Sequence, residues 1–412
     1  MIVDEEHDSS YKSETMPKYD VRDIARKMSS IYNIPILLGS ATPDIRTYHS
    51  ALNGKIKLLE LKNRISSQGM PEISIVDMRE ELATGNKTPF SRKLYYAIKE
   101  NIKKGEQTML FLNRRGYSTF IMCRECGYVV KCDECDVSMT YHLTENKLIC
   151  HYCGKTAPIP TICPECNSKK IKYFGTGTQK IEQELKKYLP EASVIRMDVD
   201  TTRGKNAHEN ILKKFRDEKI NILLGTQMIV KGHDFENVTL VGVLAADGSI
   251  NIGDYKSNER TYQLLTQVSG RAGRGDKKGH AIIQTYIPDE FSITASKEQN
   301  YEKFYNTEII MREKLNYPPF CDIIVFVVSG VEEEIVKKSI NELYTKLKEK
   351  FCAYAPAPAP ISKINGEYRW RVLMKEIMDD EKNEILGKYI DEFLTQKTNV
   401  KLSVDINPNS MM

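Results

Sequence analysis

Eight of the ten cysteines fall between residues 123 and 166, and this cluster constrains the fold more than any other feature of the chain. They form four C-x-x-C pairs, which are Cys123/Cys126, Cys132/Cys135, Cys150/Cys153 and Cys163/Cys166. No signal peptide is recognisable and the cytosol keeps thiols reduced, so we do not expect a disulfide framework. Each pair offers two thiolates to one ion, and four thiolates complete a closed tetrahedral zinc site. The spacing predicts two structural Zn²⁺ ions, since an iron–sulfur centre would favour a C-x2-C-x2-C run.

The loop lengths between the pairs indicate which pairs share an ion. Only five residues separate the first pair from the second, too few for these knuckles to face each other across a hairpin. Fourteen residues separate the second pair from the third, which is close to the spacing of a zinc ribbon. We therefore predict a nested arrangement, in which the second and third pairs form an inner site and the first and fourth form an outer site. A crossed arrangement stays open.

Other residues in and beyond the cluster have simpler interpretations. His142 and His151 are expected to be ordinary polar residues, because eight thiols already supply both sites. Cys321 and Cys352 stand alone in the sequence and are predicted to be small core residues. Several lysines surround the cluster, either as a contact surface for DNA or a partner or as counter-charges to the zinc–thiolate centres. These are Lys131, Lys147, Lys155, Lys169 and Lys170.

The composition limits the class of protein. The 412 residues are enough for two to four domains of about 100 to 200 residues each. Hydrophobic content of 41% and charged content of 28% are typical of globular proteins and argue against disorder or a coiled coil. No apolar run is long enough to span a bilayer. The net charge of +4 neither requires nor excludes nucleic acid. We expect a soluble, multidomain, cytoplasmic protein.

Outside the cysteine cluster, short apolar strands alternate with amphipathic helices as far as about residue 295. The predicted strands include residues 34–38 before the cluster and 171–174 after it. This alternation predicts an α/β fold with a parallel sheet covered on both faces, into which the cysteine segment is inserted. From about residue 300 the order βαββαβ predicts a ferredoxin-like α/β domain. The Pro-rich residues 355–360 are predicted to be a stiff connector within it.

Two motifs before the cysteines each follow an apolar strand. Asp4 and Glu5 belong to the first, D-E-E-H, and phosphoryl transfer needs one carboxylate for Mg²⁺ and a group that orients the attacking water. Asp4 suits the first role and Glu5 the second, with His7 placed to relay the state of the nucleotide. The second motif, G-S-A-T-P, contains Gly39 and Thr42 and lies where open α/β sheets bind ligands. A plain turn is the alternative for this second motif.

Two further motifs follow the cysteines. Gln267, Arg271 and Arg274 belong to Q-x-x-G-R-x-G-R at the end of a predicted helix, and the glycines let both arginines reach phosphates on a facing lobe. The other motif, G-T-Q-M-I-V-K-G-H-D, follows the predicted strand 220–224 and is suited to contact a nucleotide and a DNA backbone. Its candidate binding residues are Gly225, Thr226, Gly232 and Asp234, and a simple connecting loop is the alternative.

Together these motifs closely resemble the PriA family of helicases (primosomal protein N′), over nearly the whole chain. N-R-R-G-Y at 113–117 and Y-P-P-F at 317–320 belong to the same resemblance. It implies RecA-like helicase lobes and an ATP-dependent 3′→5′ DNA helicase of the replication-restart primosome, which recognises stalled forks and reloads the replisome. It also implies that Asp4 and Glu5 are the ATPase carboxylates, that Arg271 and Arg274 contact the γ-phosphate, and that the cysteine pairs are nested.

The resemblance implies cofactors, partners and domains as well. The cofactors are two structural Zn²⁺ ions and, in the complete protein, ATP with Mg²⁺. The partners are forked or single-stranded DNA, primosome and helicase-loading proteins, and the single-stranded DNA-binding protein. The segment after Asp8, with Tyr11, looks like the family's aromatic-rich loop that couples DNA to ATP hydrolysis. We expect the C-terminal part of lobe 1 at residues 1–75, lobe 2 at 76–295 with a zinc-binding insertion at 121–170, and a C-terminal α/β domain at 300–407.

One departure from the family concerns the phosphate-binding loop. The chain contains no G-x-x-x-x-G-K-[ST], and its only G-K-T, at Gly154, has Ile149 in place of the first glycine and lies inside a zinc knuckle. In the family this loop precedes D-E-E-H, so we expect an incomplete first lobe and no ATPase activity from this chain alone. Two functions stay open: the C-terminal portion of a PriA-type helicase, or a non-catalytic zinc-bearing scaffold that binds DNA or the primosome.

Overall fold

The computed structural model describes residues 1–61, 69–112, 120–135, 137–142, 147–173, 177–204, 206–230, 235–251, 253–273, 275, 277–396 and 399–411. In chain order its strands are β1 (Ile2–Val3), β2 (Leu37–Leu38), β3 (Glu72–Asp77), β4 (Gln107–Phe111), β5 (Ile121–Cys123), β6 (Thr140–His142), β7 (Lys147–Ile149), β8 (Thr156–Ala157), β9 (Ile171–Tyr173), β10 (Val194–Met197), β11 (Ile222–Gly225), β12 (Val238–Val243), β13 (His280–Thr285), β14 (Asp322–Gly330), β15 (Ala357–Ile364), β16 (Glu367–Glu376) and β17 (Lys401–Ile406). Its α-helices are α1 (Val21–Tyr32), α2 (Ile45–Leu52), α3 (Met78–Ala83), α4 (Arg92–Lys104), α5 (Thr178–Tyr188), α6 (Ala207–Asp217), α7 (Asp247–Ile250), α8 (Ser257–Ser269), α9 (Phe291–Glu298), α10 (Tyr301–Lys314), α11 (Glu333–Leu347) and α12 (Asp380–Gln396). In the part of the chain covered by these ranges, no helix has the length and apolar character needed to cross a membrane.

The amino-terminal segment contains β1 and β2, which pair in parallel, and helices α1 and α2. Each helix starts after an aspartate, Asp20 or Asp44, whose side chain accepts an N–H from the first turn. The strand predicted at residues 34–38 is shortened to β2. Helix α1 was not predicted from the sequence, although Ile24, Met28 and Ile31 recur at helical spacing. Part of this apolar stripe, including Met28 and Ile31, remains exposed.

The largest sheet has six parallel strands in the order β10-β11-β4-β12-β13-β3. On one face it packs against α4 and α5, through residues such as Leu94 and Leu185. On the other face it packs against α6 and α8, through residues such as Phe215 and Leu265. This arrangement confirms the predicted parallel sheet with both faces covered.

The cysteine module (residues 121–173) interrupts this lobe between β4 and α5. It contains the antiparallel pair β5–β9 and the small antiparallel sheet β6-β7-β8. The strand predicted at residues 171–174 was assigned to the strand–helix alternation, and that assignment is wrong. Strand β9 pairs with β5 and closes the module, because a short apolar run does not specify which strand will be its partner.

The carboxyl-terminal domain has the antiparallel strand order β15-β16-β14-β17, which is the predicted ferredoxin-like arrangement. Helices α11 and α12 cover one face of its sheet, and the other face packs on the cysteine module through Ile323, Val325 and Leu373.

Two expectations for this domain are corrected. The Pro-rich residues 355–360 are not only a connector, because β15 starts at Ala357 and forms the edge of the sheet, where a missing N–H is tolerated. Cys321 is buried as expected, but Cys352 is exposed. It lies between the buried Phe351 and the half-buried Ala353, and Ala353 forms a bridge to Met374. Neighbouring side chains of an extended segment point in opposite directions, so that of Cys352 faces outward.

Candidate zinc centres and nucleotide site

The outer cysteine site is formed by the first and fourth pairs. The sulfur atoms of Cys123, Cys126, Cys163 and Cys166 all lie within 4.8 Å of one another. Two of these separations, Cys123–Cys166 and Cys126–Cys163, are 3.6 Å. Four sulfurs at Zn–S distances of about 2.3 Å in a tetrahedron are about 3.8 Å apart, so the donor set fits zinc. The β5–β9 pairing brings the two knuckles together.

The inner site is formed by the second and third pairs. Cys132, Cys135, Cys150 and Cys153 also have all sulfurs within 4.8 Å, and the Cys132–Cys153 separation is 3.6 Å. Each knuckle is closed by backbone hydrogen bonds, such as the N–H of Cys150 donating to the carbonyl of Lys155. The structure therefore confirms the nested arrangement and rules out the crossed one. The two four-cysteine sets are the residues that would hold two structural Zn²⁺ ions.

Polar and charged residues around the two zinc sites contact one another. His142 and His151 contact each other, with 3.2 Å between their Nε2 atoms, and neither joins a cysteine set in the described ranges. Two of the surrounding lysines form surface ion pairs within the module: Lys155 with Asp133 at 2.8 Å, and Lys170 with Glu125 at 3.6 Å. Part of the positive charge of this surface is therefore already matched by acidic neighbours.

Asp4 and Gly39 lie side by side because both follow the carboxyl ends of paired strands. The N–H of Gly39 donates to the carbonyl of Val3 at 2.8 Å, and the N–H of Glu6 donates to the carbonyl of Gly39 at 3.0 Å. Asp4 and Glu5 are exposed, and Asp4 Oδ1 accepts the N–H of Glu5 at 3.0 Å. Glu5 has a φ of +47°, in the left-handed region that a residue with a side chain seldom adopts. The two carboxylates are thus presented to solvent on a tight, strained turn.

His7 connects three of the predicted motifs. Its Nδ1 is 2.6 Å from Ser40 Oγ, and its Nε2 is 2.7 Å from Gln267 Nε2. The amide nitrogen of Gln267 can only donate, so Nε2 of His7 accepts and Nδ1 carries the proton. Burial lowers the pKa of His7, which keeps this ring neutral near pH 7. The neutral ring therefore joins D-E-E-H to G-S-A-T-P and to Q-x-x-G-R-x-G-R.

Glu6 has a structural role that the sequence did not indicate. Its side chain is buried, its Oε1 accepts the N–H of Asp44 at 2.6 Å, and its Oε2 accepts the hydroxyl of Thr47 at 3.1 Å. Burial, together with the nearby Asp44 carboxylate, raises the pKa of Glu6 to about 7. The buried guanidinium of Arg22 donates to the Glu6 carbonyl at 3.0 Å and to Asp20. The only sequence signal for Glu6 was its place in the acidic motif.

Helix α8 holds the amino-terminal segment against the large sheet. Glu259 accepts the N–H of Ile45 at 2.8 Å, and Gln263 donates to the carbonyl of Thr42 at 3.3 Å. Glu259 also pairs with the buried Arg312 at 2.8 Å. Thr42 was predicted to bind a cofactor, and the structure places it, buried, at this contact.

Of the remaining predicted residues, three lie within the described ranges. Gly225 ends β11, where a Cβ would come within 2.7 Å of the Met197 carbonyl, and Thr226 follows it, buried. Arg271 is half-buried in the turn after α8. Gly232, Asp234 and Arg274 lie outside the described residues.

A cleft between the amino-terminal segment and α8 was not anticipated from the sequence. It is lined by His7, Arg22, Gln227, Lys256 and Arg260, among others. Burial and the nearby Arg46 lower the pKa of Lys256 to about 8. Asp8, Asp44 and Glu259 line the same cleft, so cationic, acidic and hydrogen-bonding groups lie together beside His7.

The amino-terminal segment, which contains two of the motifs, packs on a lobe built on a parallel sheet. Two four-cysteine sites are inserted into that lobe. Together these features define a helicase-type α/β protein with structural zinc. Three family models match the chain: the primosomal protein N C-terminal domain at residues 313–409, the PriA DNA helicase Cys-rich region domain at 132–158, and the helicase conserved C-terminal domain at 155–276. The chain belongs to the PriA family.

Similar curated proteins agree with this assignment. The replication restart protein PriA of Bacillus subtilis (strain 168) is 48% identical over 100% of this chain and 52% of its own length. The protein of the same name from Synechocystis sp. is 44% identical over 91% of this chain and 47% of its own length. The chain thus spans about half the length of these relatives. Among solved structures, RecG bound to a three-way DNA junction covers 68% of this chain and 30% of its own chain, at 11% identity and a TM-score of 0.34.

Proposed function

We propose that this chain is the C-terminal portion of an ATP-dependent 3′→5′ DNA helicase of the replication-restart primosome, which recognises stalled forks and reloads the replisome. The observation that carries the proposal is the position of His7. Its ring contacts Ser40 at 2.6 Å and Gln267 at 2.7 Å, so the carboxylate motif and the arginine motif meet through one neutral imidazole. A change on either side of that ring is transmitted to the other by two short hydrogen bonds.

The proposed roles follow from this placement. Asp4 is the ligand for Mg²⁺ and Glu5 orients the attacking water, since both carboxylates are exposed, that of Asp4 beside Gly39 and that of Glu5 3.5 Å from His7 Nδ1. Arg271, with Arg274, balances charge on the γ-phosphate. Forked or single-stranded DNA is the proposed substrate, and primosome proteins, helicase loaders and the single-stranded DNA-binding protein are the proposed partners. ATP with Mg²⁺ supplies the free energy for strand separation in this proposal.

Assays of ATP hydrolysis test the proposal. The 412-residue chain by itself is expected to hydrolyse essentially no ATP with or without DNA, because its sequence contains no G-x-x-x-x-G-K-[ST]. A chimera that places the residues preceding the matched region of the Bacillus subtilis relative ahead of Met1 is expected to show DNA-stimulated turnover. In that chimera Glu5→Gln should lower turnover by about 100-fold, and His7→Ala should weaken the stimulation by DNA.

The alternative function is a non-catalytic zinc-bearing scaffold that binds DNA or the primosome. Lysines on the cysteine module favour it, since Lys131, Lys147 and Lys169 add positive charge to that surface. A chimera that binds DNA but shows no turnover would support the scaffold. Robust ATP hydrolysis by the 412-residue chain would instead contradict the need for the phosphate-binding loop.

A further inference from the structure

A second cavity lies at the carboxyl edge of the large sheet and contains none of the predicted site residues. It is bounded by the ends of β3, β4, β12 and β13, by α5, by the loop before α4, and by the first zinc knuckle. Its volume is about 230 Å³, just below the usual range of small-molecule sites, so it has room for one ring rather than for a large ligand. Open α/β sheets bind ligands outside the carboxyl ends of their strands, so its position is that of a binding site.

Asp247 is a buried polar group in the wall of this cavity. Its side chain is fully buried, and its Oδ1 accepts the hydroxyl of Thr285 and the N–H of Tyr286, both at 2.9 Å. Its Oδ2 has no hydrogen-bond partner among the described residues. Burial raises the pKa of Asp247 to about 6, so near pH 7.5 the group is an ionised acceptor with one oxygen unused. An unsatisfied buried carboxylate costs stability, and such groups cluster at functional sites.

The surroundings of Asp247 combine apolar walls with positive charge. Met78, Leu112, Leu244 and Ile181 are buried side chains that line the cavity. Lys87, Arg124 and Lys180 also line it, together with the carboxylate of Glu184. The Nε of Arg124 is buried without a partner within the described ranges. Apolar walls suit a flat ring, the free carboxylate oxygen suits an N–H donor, and the cations suit a phosphate.

We propose that this cavity holds one unstacked nucleotide of single-stranded DNA, with the exocyclic amino group of its base donating to Asp247 Oδ2 and its phosphate beside Arg124 and Lys180. This inference rests on the proposed DNA-binding function and adds a base preference to it. An ionised carboxylate only accepts hydrogen bonds. Cytosine offers an amino group at the position where uracil offers a carbonyl oxygen, so a cytosine is retained and a uracil leaves two acceptors facing each other.

Binding of matched oligonucleotides tests the proposal in the zinc-loaded 412-residue chain. Fluorescence anisotropy would compare 12-nucleotide oligo-dC with oligo-dU at pH 7.5 and one fixed ionic strength, because affinity for DNA depends strongly on salt. We expect oligo-dC to bind about tenfold more tightly than oligo-dU, the effect of one hydrogen bond to a charged acceptor. Equal binding of the two would overturn the base pocket while leaving DNA binding intact. Failure of both to bind would overturn the proposed DNA function together with the pocket.

Asp247→Asn provides the sharper test, because it replaces the free acceptor by a donor. Its amide oxygen can still accept from Thr285 and Tyr286, so its NH₂ group faces the cavity. The preference is expected to reverse in favour of oligo-dU, and the midpoint of thermal unfolding is expected to rise by about 2 to 4 °C, because a buried charge is removed. A purely structural Asp247 would instead give a lower midpoint and an unchanged preference.

Two controls separate the contributions of phosphate and base. Lys180→Gln should weaken the binding of oligo-dC and of oligo-dU by the same factor, since a phosphate contact does not depend on the base. Free dCMP and dUMP distinguish a strand from a mononucleotide as the source of the base. We expect neither to displace oligo-dC at micromolar concentration, and strong selective displacement by dCMP would overturn the assignment to DNA.

Discussion

At the scale of single residues, the acidic positions of the D-E-E-H motif have divided roles. Asp4 and Glu5 are exposed, and Glu5 has a left-handed backbone conformation. Glu6, the next residue, is buried and binds Asp44 and Thr47 at the start of α2. Strain at Glu5 is tolerated because its neighbour is anchored, which is how a strained turn persists at a functional site. Glu6 therefore fixes the direction of the two carboxylates that precede it.

The pH dependence of this anchor gives a prediction at the same scale. The pKa of Glu6 is raised to about 7, mainly by burial and then by Asp44, while Arg22 opposes the increase. A carboxyl with a raised pKa binds its proton more tightly in the folded state, so its contribution is full below the unfolded pKa of about 4.5 and is lost as the pH rises through 7. Helix α2 and its contacts with Glu6 should therefore be more stable at pH 6 than at pH 8.

Hydrogen exchange of α2 measures this effect. Glu6→Gln should abolish the difference between pH 6 and pH 8, after correction for intrinsic exchange rates, and should stabilise the region at pH 8 by about 1 to 3 kcal/mol. Thr47→Val is a matched control, because it removes one partner of Glu6 and keeps the carboxyl group. It should preserve the pH dependence, and a variant Glu6→Gln with an unchanged pH dependence would contradict this account.

At the scale of residues, the sequence could predict only the roles that follow from the chemistry of short motifs. Asp4 and His7 became candidate site residues because a carboxylate and an imidazole directly after an apolar strand suit phosphoryl transfer. Glu6, Arg22 and Asp247 were not identified, because their roles depend on burial and on partners distant in the chain. Asp247 follows β12 with only small neighbours, and nothing in that stretch distinguishes it from a surface turn.

At the scale of elements, the cysteine module shows how far spacing alone can specify structure. The C-x-x-C pairs fix their own knuckle geometry locally. The intervening loop lengths favoured the nested pairing but left the crossed one open, and the positions of the sulfur atoms decide between them. The alternation of strands and helices did not predict the partner of β9, because that partner, β5, lies about fifty residues earlier and outside any local pattern. Zinc binding is expected to supply most of the stability of this module, since its strands have only two or three residues each.

Metal content gives the prediction at this scale. Two zinc ions per chain are expected by elemental analysis. Cys166→Ser, in the outer site, and Cys153→Ser, in the inner site, should each reduce the content to about one and leave the other site filled, because the two sets share no sulfur. A stoichiometry of one or zero in the unmodified chain would contradict the two-site assignment.

At the scale of the whole molecule, the carboxyl-terminal domain holds the segment that follows D-E-E-H. Asp405 of β17 lies 3.0 Å from the Nζ of the buried Lys12 and 2.8 Å from that of Lys18. Asn409 donates to the carbonyl of Ser9 at 2.7 Å, and Tyr11 donates to the carbonyl of Asp4 at 2.7 Å. The two ends of the described chain thus meet beside the candidate nucleotide site. Sequence patterns could not predict this contact, because nearly four hundred residues separate its partners.

Replacing Asp405 tests whether this contact positions the segment. Asp405→Ala removes both ion pairs and leaves the buried Lys12 without its carboxylate, which should destabilise residues 9–20 by about 1 to 3 kcal/mol. Amide hydrogen exchange should accelerate by about tenfold or more in those residues and stay unchanged in α4, which packs on the face of the large sheet opposite α8. Lys18→Ala is the graded control, since it keeps the more buried Lys12–Asp405 pair and should have a smaller effect. Unchanged exchange in residues 9–20 of Asp405→Ala would show that the carboxyl-terminal domain does not hold this segment, and that the anchors Arg22 and Glu6 suffice to place it.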